Sequence, residues 1–190
     1  METKVKGPSP RERLLAAADE LFYNEGIHTV GIDRIIDKAG VAKGSLYYNF
    51  DGKDDLVRAY LLGRHASWSA EVDRAVAAAV TPEEKVLAVF DVLGTLFSKP
   101  DFRGCSFMNA VAEGQPGSPE LLAAANFRAW VHELFEGLVD GLEVGRKSEL
   151  VSQLIVLYDG SVATAQMDST AEPAKTAKAM ARLLIERSAA

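Results

Sequence analysis

This 190-residue chain carries a single cysteine, Cys105, and one thiol can close no internal disulfide. That scarcity fits a reducing cytosol, where a lone cysteine is more often a small buried apolar side chain than a nucleophile. Histidine is nearly as rare. His28, His65 and His132 lie far apart, without the spacing of a metal site built with carboxylates or with Cys105. Also missing are Gly-x-Ser-x-Gly, a phosphate-cradling glycine loop and Cys-x-x-Cys. The pair Glu83-Glu84 falls at a helix start, where the dipole accounts for carboxylates. The expectation is no catalytic residue, no metal and no cofactor. No apolar run approaches the span of a bilayer, and the opening METKVKGPSP has no signal-peptide core, so a cytoplasmic location without a membrane segment is expected. Neither strand-like alternation nor internal repeats occur, which leaves an all-α fold.

Charge of one sign is in excess but unevenly placed. The net charge is −6, which taken alone argues against a nucleic-acid partner. Residues 1–65, however, hold 10 Lys/Arg against 10 Asp/Glu, so the deficit lies in residues 66–190, with 11 against 17. A neutral, locally basic head on an acidic body is compatible with DNA binding, because the local field at the phosphates decides the contact.

The most informative stretch runs from Gly26 to Leu56, GIHTVGIDRIIDKAGVAKGSLYYNFDGKDDL. Ile32, Ile35, Ile36 and Ala39 make a compact apolar face at helical spacing, and Gly40 supplies the positive φ of a sharp turn. A second helix over Lys43–Asn49 turns Leu46, with Phe50 after it, inward. Lys43, Ser45, Tyr47, Tyr48 and Asn49 are left polar or polar-tipped. This is the pattern of a helix-turn-helix whose second helix is free to enter a major groove. Lys43 can reach a base edge or a phosphate, Gly44 lets backbone approach DNA closely, and Ser45, Tyr48 and Asn49 offer donors and acceptors. Upstream, Ser9-Pro10-Arg11-Glu12 is a helix start, and Leu14, Ala18, Leu21 and Phe22 form the stripe that packs this helix across the motif. Lys4 and Lys6 sit in an N-terminal arm expected to be flexible.

The run Gly40-Val-Ala-Lys-Gly-Ser-Leu-Tyr-Tyr-Asn-Phe50 with Lys53 and Leu56, and the lead-in from Arg13-Leu14-Leu15 through Leu21-Phe22 to Gly26, resembles the TetR (tetracycline-repressor) family of bacterial regulators. The likeness is specific over about the first 60 residues of the sequence. It implies that Tyr47 and Lys53 touch the phosphate backbone, and that a double-stranded DNA operator and a small-molecule effector are the partners. One departure is Val30-Gly31, where many members place two hydroxyl residues that cap the first helix of the motif. Thr29 or backbone N–H groups are left to serve there. Asp33 would repel phosphate, and Arg34 could compensate.

Beyond Asp51-Gly52, a long helix from Lys53 to about Ala79 and further helices over 82–98, 106–113, 119–143, 148–167 and 173–187 are expected. The resemblance divides the chain into a DNA-binding domain, 1–52, and a ligand-binding and dimerisation domain, 53–190. It turns the aromatic-rich faces of the body into cavity candidates: Phe107, Met108, Phe127 and Trp130 as walls, with Asn109, Asn126, His132 and Gln166 as polar groups. It also implies a homodimer through the last two helices, where Gly160, Ala163, Ala177 and Ala181 permit close approach. The function expected is that of a repressor released from its operator by ligand. A ligand-independent activator or architectural factor is one rival, and a small helical enzyme or carrier the other.

Overall fold

A computed structural model describes residues 7–189; Lys4 and Lys6 fall outside them. The described residues form helices and no strand. In order these are α1 (Pro10–Glu25), α2 (Ile32–Ala39), α3 (Lys43–Asn49), α4 (Lys53–Ala78), α5 (Pro82–Phe97), α6 (Ser106–Glu113), α7 (Pro119–Asp140), α8 (Lys147–Asp168) and α9 (Glu172–Ser188). Two compact units result. One comprises the chain up to Arg64 with Ser106–Ala124, the other His65–Cys105 with the chain from Ala125 onward.

Local chemistry explains where the helices begin and end. At α1 the Ser9 hydroxyl accepts from the Glu12 N–H (3.3 Å) while the Glu12 carboxylate accepts from the Ser9 N–H (2.7 Å). Thr81 and Glu84 repeat this reciprocal cap on α5. Each such cap contributes about 1 kcal/mol by satisfying N–H groups that the helix leaves orphaned. α7 stops at Asp140, before Gly141 and short of the Glu143 expected, and Leu142 N–H turns back to Val139 O at 2.9 Å. Ser169 closes α8 with a left-handed φ of 53°.

In the first unit α1 packs against both α2 and α3. Leu14, Ala18, Leu21 and Phe22 from α1, Ile35 and Ile36 from α2, and Leu46 and Phe50 at α3 are all buried. The Phe22 and Tyr60 rings meet at 5.6 Å. In the second unit α5, α8 and α9 pack on one another. Val86, Val89, Phe90 and Leu93 of α5 and Leu150, Leu154 and Tyr158 of α8 are buried there. Phe135 joins Phe90 at 6.3 Å and Tyr158 at 5.9 Å. The buried phenol of Tyr158 is held well above its ordinary range by burial, so it is a neutral core group.

Candidate nucleic-acid interface

The turn between α2 and α3 is fixed by Gly40. Its φ of 59° lies in the left-handed region, and its N–H and that of Val41 close back onto Asp37 O (3.1 Å) and Ile36 O (3.3 Å). These bonds satisfy carbonyls that α2 would leave open. A β-carbon there would sit 2.8 Å from Arg13 Nη2, whose guanidinium donates to Gly40 O. Glycine is thus favoured by the left-handed backbone, and a larger residue would also displace the tip of the Arg13 side chain.

With Leu46 and Phe50 buried, α3 presents the opposite face outward. Tyr47 is 56% and Tyr48 89% exposed. Lys43 and Gly44 are exposed, while Ser45 and Asn49 are half-buried. A β-carbon on Gly44 would meet nothing within 4 Å, so this stretch of backbone is open to an approaching ligand. Asn49 donates one of its two amide hydrogens to Ser45 O at 2.7 Å, which ties the side chain to its own helix. Burying large aromatic surface is favourable, so two tyrosines left outward on a seven-residue helix mark a face with other work than core formation.

Among the described residues, internal carboxylates hold several cations of the head. Arg34 Nη2 donates to Glu25 Oε1 at 2.8 Å and Arg34 Nη1 to Glu25 Oε2, a bidentate pair that ties α2 to α1. Asp33 is itself paired, with Lys43 Nζ 2.8 Å from its Oδ1. The Asp33 carboxylate raises the Lys43 ammonium above its ordinary range. Lys38 pairs with Glu20 at 2.7 Å. Lys53, half-buried at the start of α4, makes no ion pair among the described residues. Nor does Thr29 cap α2: the N-cap is Gly31, with no side-chain hydrogen bond.

The structure adds two groups that sequence reasoning missed. The Gly26–His28 loop leading into α2 is held by carboxylates from the 106–124 segment. Glu113 Oε2 accepts the His28 N–H at 2.9 Å, and Glu120 Oε1 lies 3.4 Å from His28 Nε2. Glu120 is buried, although it is a carboxyl residue in the first turn of α7. A glutamate beyond a Ser-Pro helix start reads as a dipole partner. No local pattern shows that it is buried against a loop some 90 residues earlier in the sequence.

The candidate effector residues divide between the units. Phe107, Met108 and Asn109 lie on α6 in the first, where Phe107 is buried and Met108 is 38% exposed. Phe127 and Trp130 lie in the second with ring centroids 5.6 Å apart. His65 meets both edge-on, at 5.5 Å from Phe127 and 5.3 Å from Trp130. Burial lowers His65 from its ordinary 6.5, which favours the neutral imidazole. Asn126, His132 and Gln166, expected as polar cavity groups, are exposed. No group of three His, Cys, Asp or Glu among the described residues could hold a metal ion. No described helix is long and apolar enough to cross a membrane.

Three helices joined by a glycine-closed turn, with an outward polar face on the last, define a helix-turn-helix head. Comparison with known proteins gives the family. The family described as bacterial regulatory proteins, tetR family, matches residues 14–60. A TetR-family transcriptional regulator from Streptomyces coelicolor has a solved structure that superposes with a TM-score of 0.89 at 33% identity, covering 95% of this chain and 96% of that one. Two Pseudomonas putida proteins named as HTH-type transcriptional regulators are each 31% identical over 98 residues. The match covers 44% of this chain in both cases, with 46% of SrpR and 73% of TtgW. The chain thus spans less than half the length of SrpR. The chain belongs to the TetR family of bacterial regulatory proteins and is a transcriptional regulator with a DNA-binding helix-turn-helix.

Proposed function

We propose that the protein is a homodimeric repressor that leaves its operator when a small molecule binds. The observation that carries the DNA half of this reading is the outward face of α3, with Tyr47 and Tyr48 exposed beside an open Gly44. In this reading residues 1–52 read the operator. Lys43 and Ser45 meet base edges or phosphates. Tyr47 and Lys53 hold phosphate and so set position rather than sequence. Tyr48 stacks or hydrogen-bonds at the groove wall, and Asn49 contributes its remaining amide oxygen. Arg34 joins the phosphate contacts only where DNA outcompetes Glu25 for its guanidinium.

Residues 53–190 dimerise and sense in this reading. The dimer is supported by a face of α8 and α9 that leaves Val156 (70%), Met180 (48%) and Leu183 (55%) exposed. Val156 and Met180 line a groove of ≈370 Å³ between the two helices. A β-carbon on Gly160 would meet nothing within 4 Å, which leaves room for a second helix. A two-fold partner seated there would present two heads to two half-sites. For the effector, the Phe127–Trp130–His65 aromatic group of the second unit is the wall we assign. Ligand shifts the population toward a body conformation whose heads no longer match successive grooves, with α4 as the lever. Selection of bound sequences from random duplex DNA at fixed, near-physiological salt tests the DNA half. An enriched inverted repeat is expected. A folded protein that enriches nothing sinks it.

A further inference from the structure

Among the described residues Glu120 is the only buried carboxyl side chain, and it is 3% exposed. One of its oxygens, Oε1, lies 3.4 Å from His28 Nε2; the other, Oε2, has no hydrogen-bond partner among those residues. Burying a carboxyl group that is only half partnered costs stability, so packing of the first unit does not account for it. The contact falls on the loop between α1 and α2. Glu113 grips the same loop, with Oε2 accepting the His28 N–H at 2.9 Å. The loop ends at Gly31, which caps α2 without a side-chain hydrogen bond. The entry of α2 is therefore set by what holds the loop rather than by its cap.

Glu120 also stands at one end of a helix that serves both units. α7 runs unbroken from Pro119 to Asp140; its residues up to Ala124 belong to the first unit and those from Ala125 onward to the second. Phe127 follows Glu120 by seven residues, about two helical turns, which puts both on one stripe of α7. Trp130 comes three residues later, beside Phe127 on the helix surface.

We propose that Glu120 couples the aromatic wall to the DNA-binding head. Displacement of α7 at Phe127 and Trp130 withdraws the carboxyl group from His28 and frees the loop that sets α2. This rests on the DNA-binding and effector readings above and gives them a second connection besides α4. A hydrogen-bonded helix carries such a displacement along its length as a rigid element. The half-partnered carboxyl group keeps the closed arrangement from being too secure, because water completes its hydrogen bonds once it is withdrawn. A ligand can therefore choose between the two arrangements with modest differential affinity. Glu120 is a positioning residue: it acts through His28 and the loop, and touches no base.

Coupling is reciprocal, so a wall that biases the head must respond when the head binds DNA. The test thus needs no effector. Hydrogen exchange of the full chain is followed in segments 26–31 and 125–131, free and with the operator duplex enriched by the selection above. Anisotropy of the labelled duplex reports occupancy. In the unsubstituted protein, operator should change exchange in both segments. Glu120→Gln keeps the shape and removes the acid; free of DNA, its 26–31 segment should exchange about tenfold faster. Its operator affinity should fall about fivefold, and saturating operator should no longer change segment 125–131. His28→Ala, at a side chain 55% exposed, should reproduce this loss of response and serves if the Gln variant does not fold. An operator-bound protein whose 125–131 exchange stays constant overturns the proposal. So does a response that persists in full in either variant, which is what a purely structural Glu120 predicts. If the unsubstituted protein binds no duplex, the DNA-binding reading falls and takes this inference with it. If it binds the operator and segment 125–131 does not respond, this inference alone falls.

Discussion

Compare one exposed face from each unit, that of α3 and that of α8 with α9: their chemistry diverges. On α3 the outward groups are an ammonium, hydroxyl-tipped rings and an amide; on α8 and α9 they are Val156, Met180 and Leu183. Water solvates the first set well, so exposure there costs little. Aliphatic side chains in water forgo about 25 cal/mol for each Å² that could be buried, so exposure on the second face is a standing cost unless something covers it. The contrast teaches that an exposed face is informative through the kind of group it shows. A polar, aromatic-tipped helix suits a hydrated, charged partner such as DNA, and an aliphatic face with an open glycine suits a second protein surface.

Substitutions that treat one face and spare the other can break this contrast. The largest effect is expected from Val156→Asp, which places a carboxylate where a second copy would bury it. Sedimentation equilibrium should show the dimer dissociation constant rising at least about a hundredfold, with the helical fold intact by circular dichroism. Next comes Tyr48→Ala: at an 89% exposed position it should leave thermal stability within about 0.5 kcal/mol of wild type while weakening duplex binding about tenfold. Tyr47→Phe removes one hydroxyl and should weaken binding about three- to tenfold, equally on every sequence, in fluorescence anisotropy titrations. A sequence-dependent loss would make Tyr47 a base reader.

The smallest effect concerns pH. Burial lowers His65 below its ordinary 6.5, so the unfolded chain binds more protons there than the folded one. Stability from the neutral imidazole is thus complete above about 6.5 and declines as pH falls from there toward the lowered folded value. Thermal melts of His65→Leu should lose part of the wild-type decline over that window. An unchanged decline would assign it to other groups.

What could be read from the sequence was what depends on near neighbours. Ser9 with Glu12, Thr81 with Glu84 and Gly40 with its turn each act over three or four residues, and each forms the local structure its type and spacing imply. The inward pair Leu46 and Phe50 follows in the same way from helical period, and with it the outward remainder of α3. What failed to show depends on distant chain. Arg34 stands next to Asp33 in sequence yet reaches back to Glu25, and Lys43 comes ten residues forward to take Asp33. Glu113 bonds a backbone N–H 85 residues earlier. The effector candidates suffered most. An aromatic at helical spacing packs equally well in a core or a cavity wall, and only placement separates Phe107 in one unit from Phe127 in the other.

The central claim is that the two faces act together: the aliphatic one joins two copies, and the polar ones then meet two half-sites at a fixed separation. The most direct measurement is operator affinity after inserting about half a helical turn, roughly five base pairs, between the half-sites of the selected repeat. The account predicts that affinity falls at least about tenfold, toward that of a duplex with one half-site, because the second head then faces the wrong side of the helix. Affinity that is unchanged by the insertion would mean that each head binds alone, and that the α8–α9 face does not set the geometry of DNA recognition.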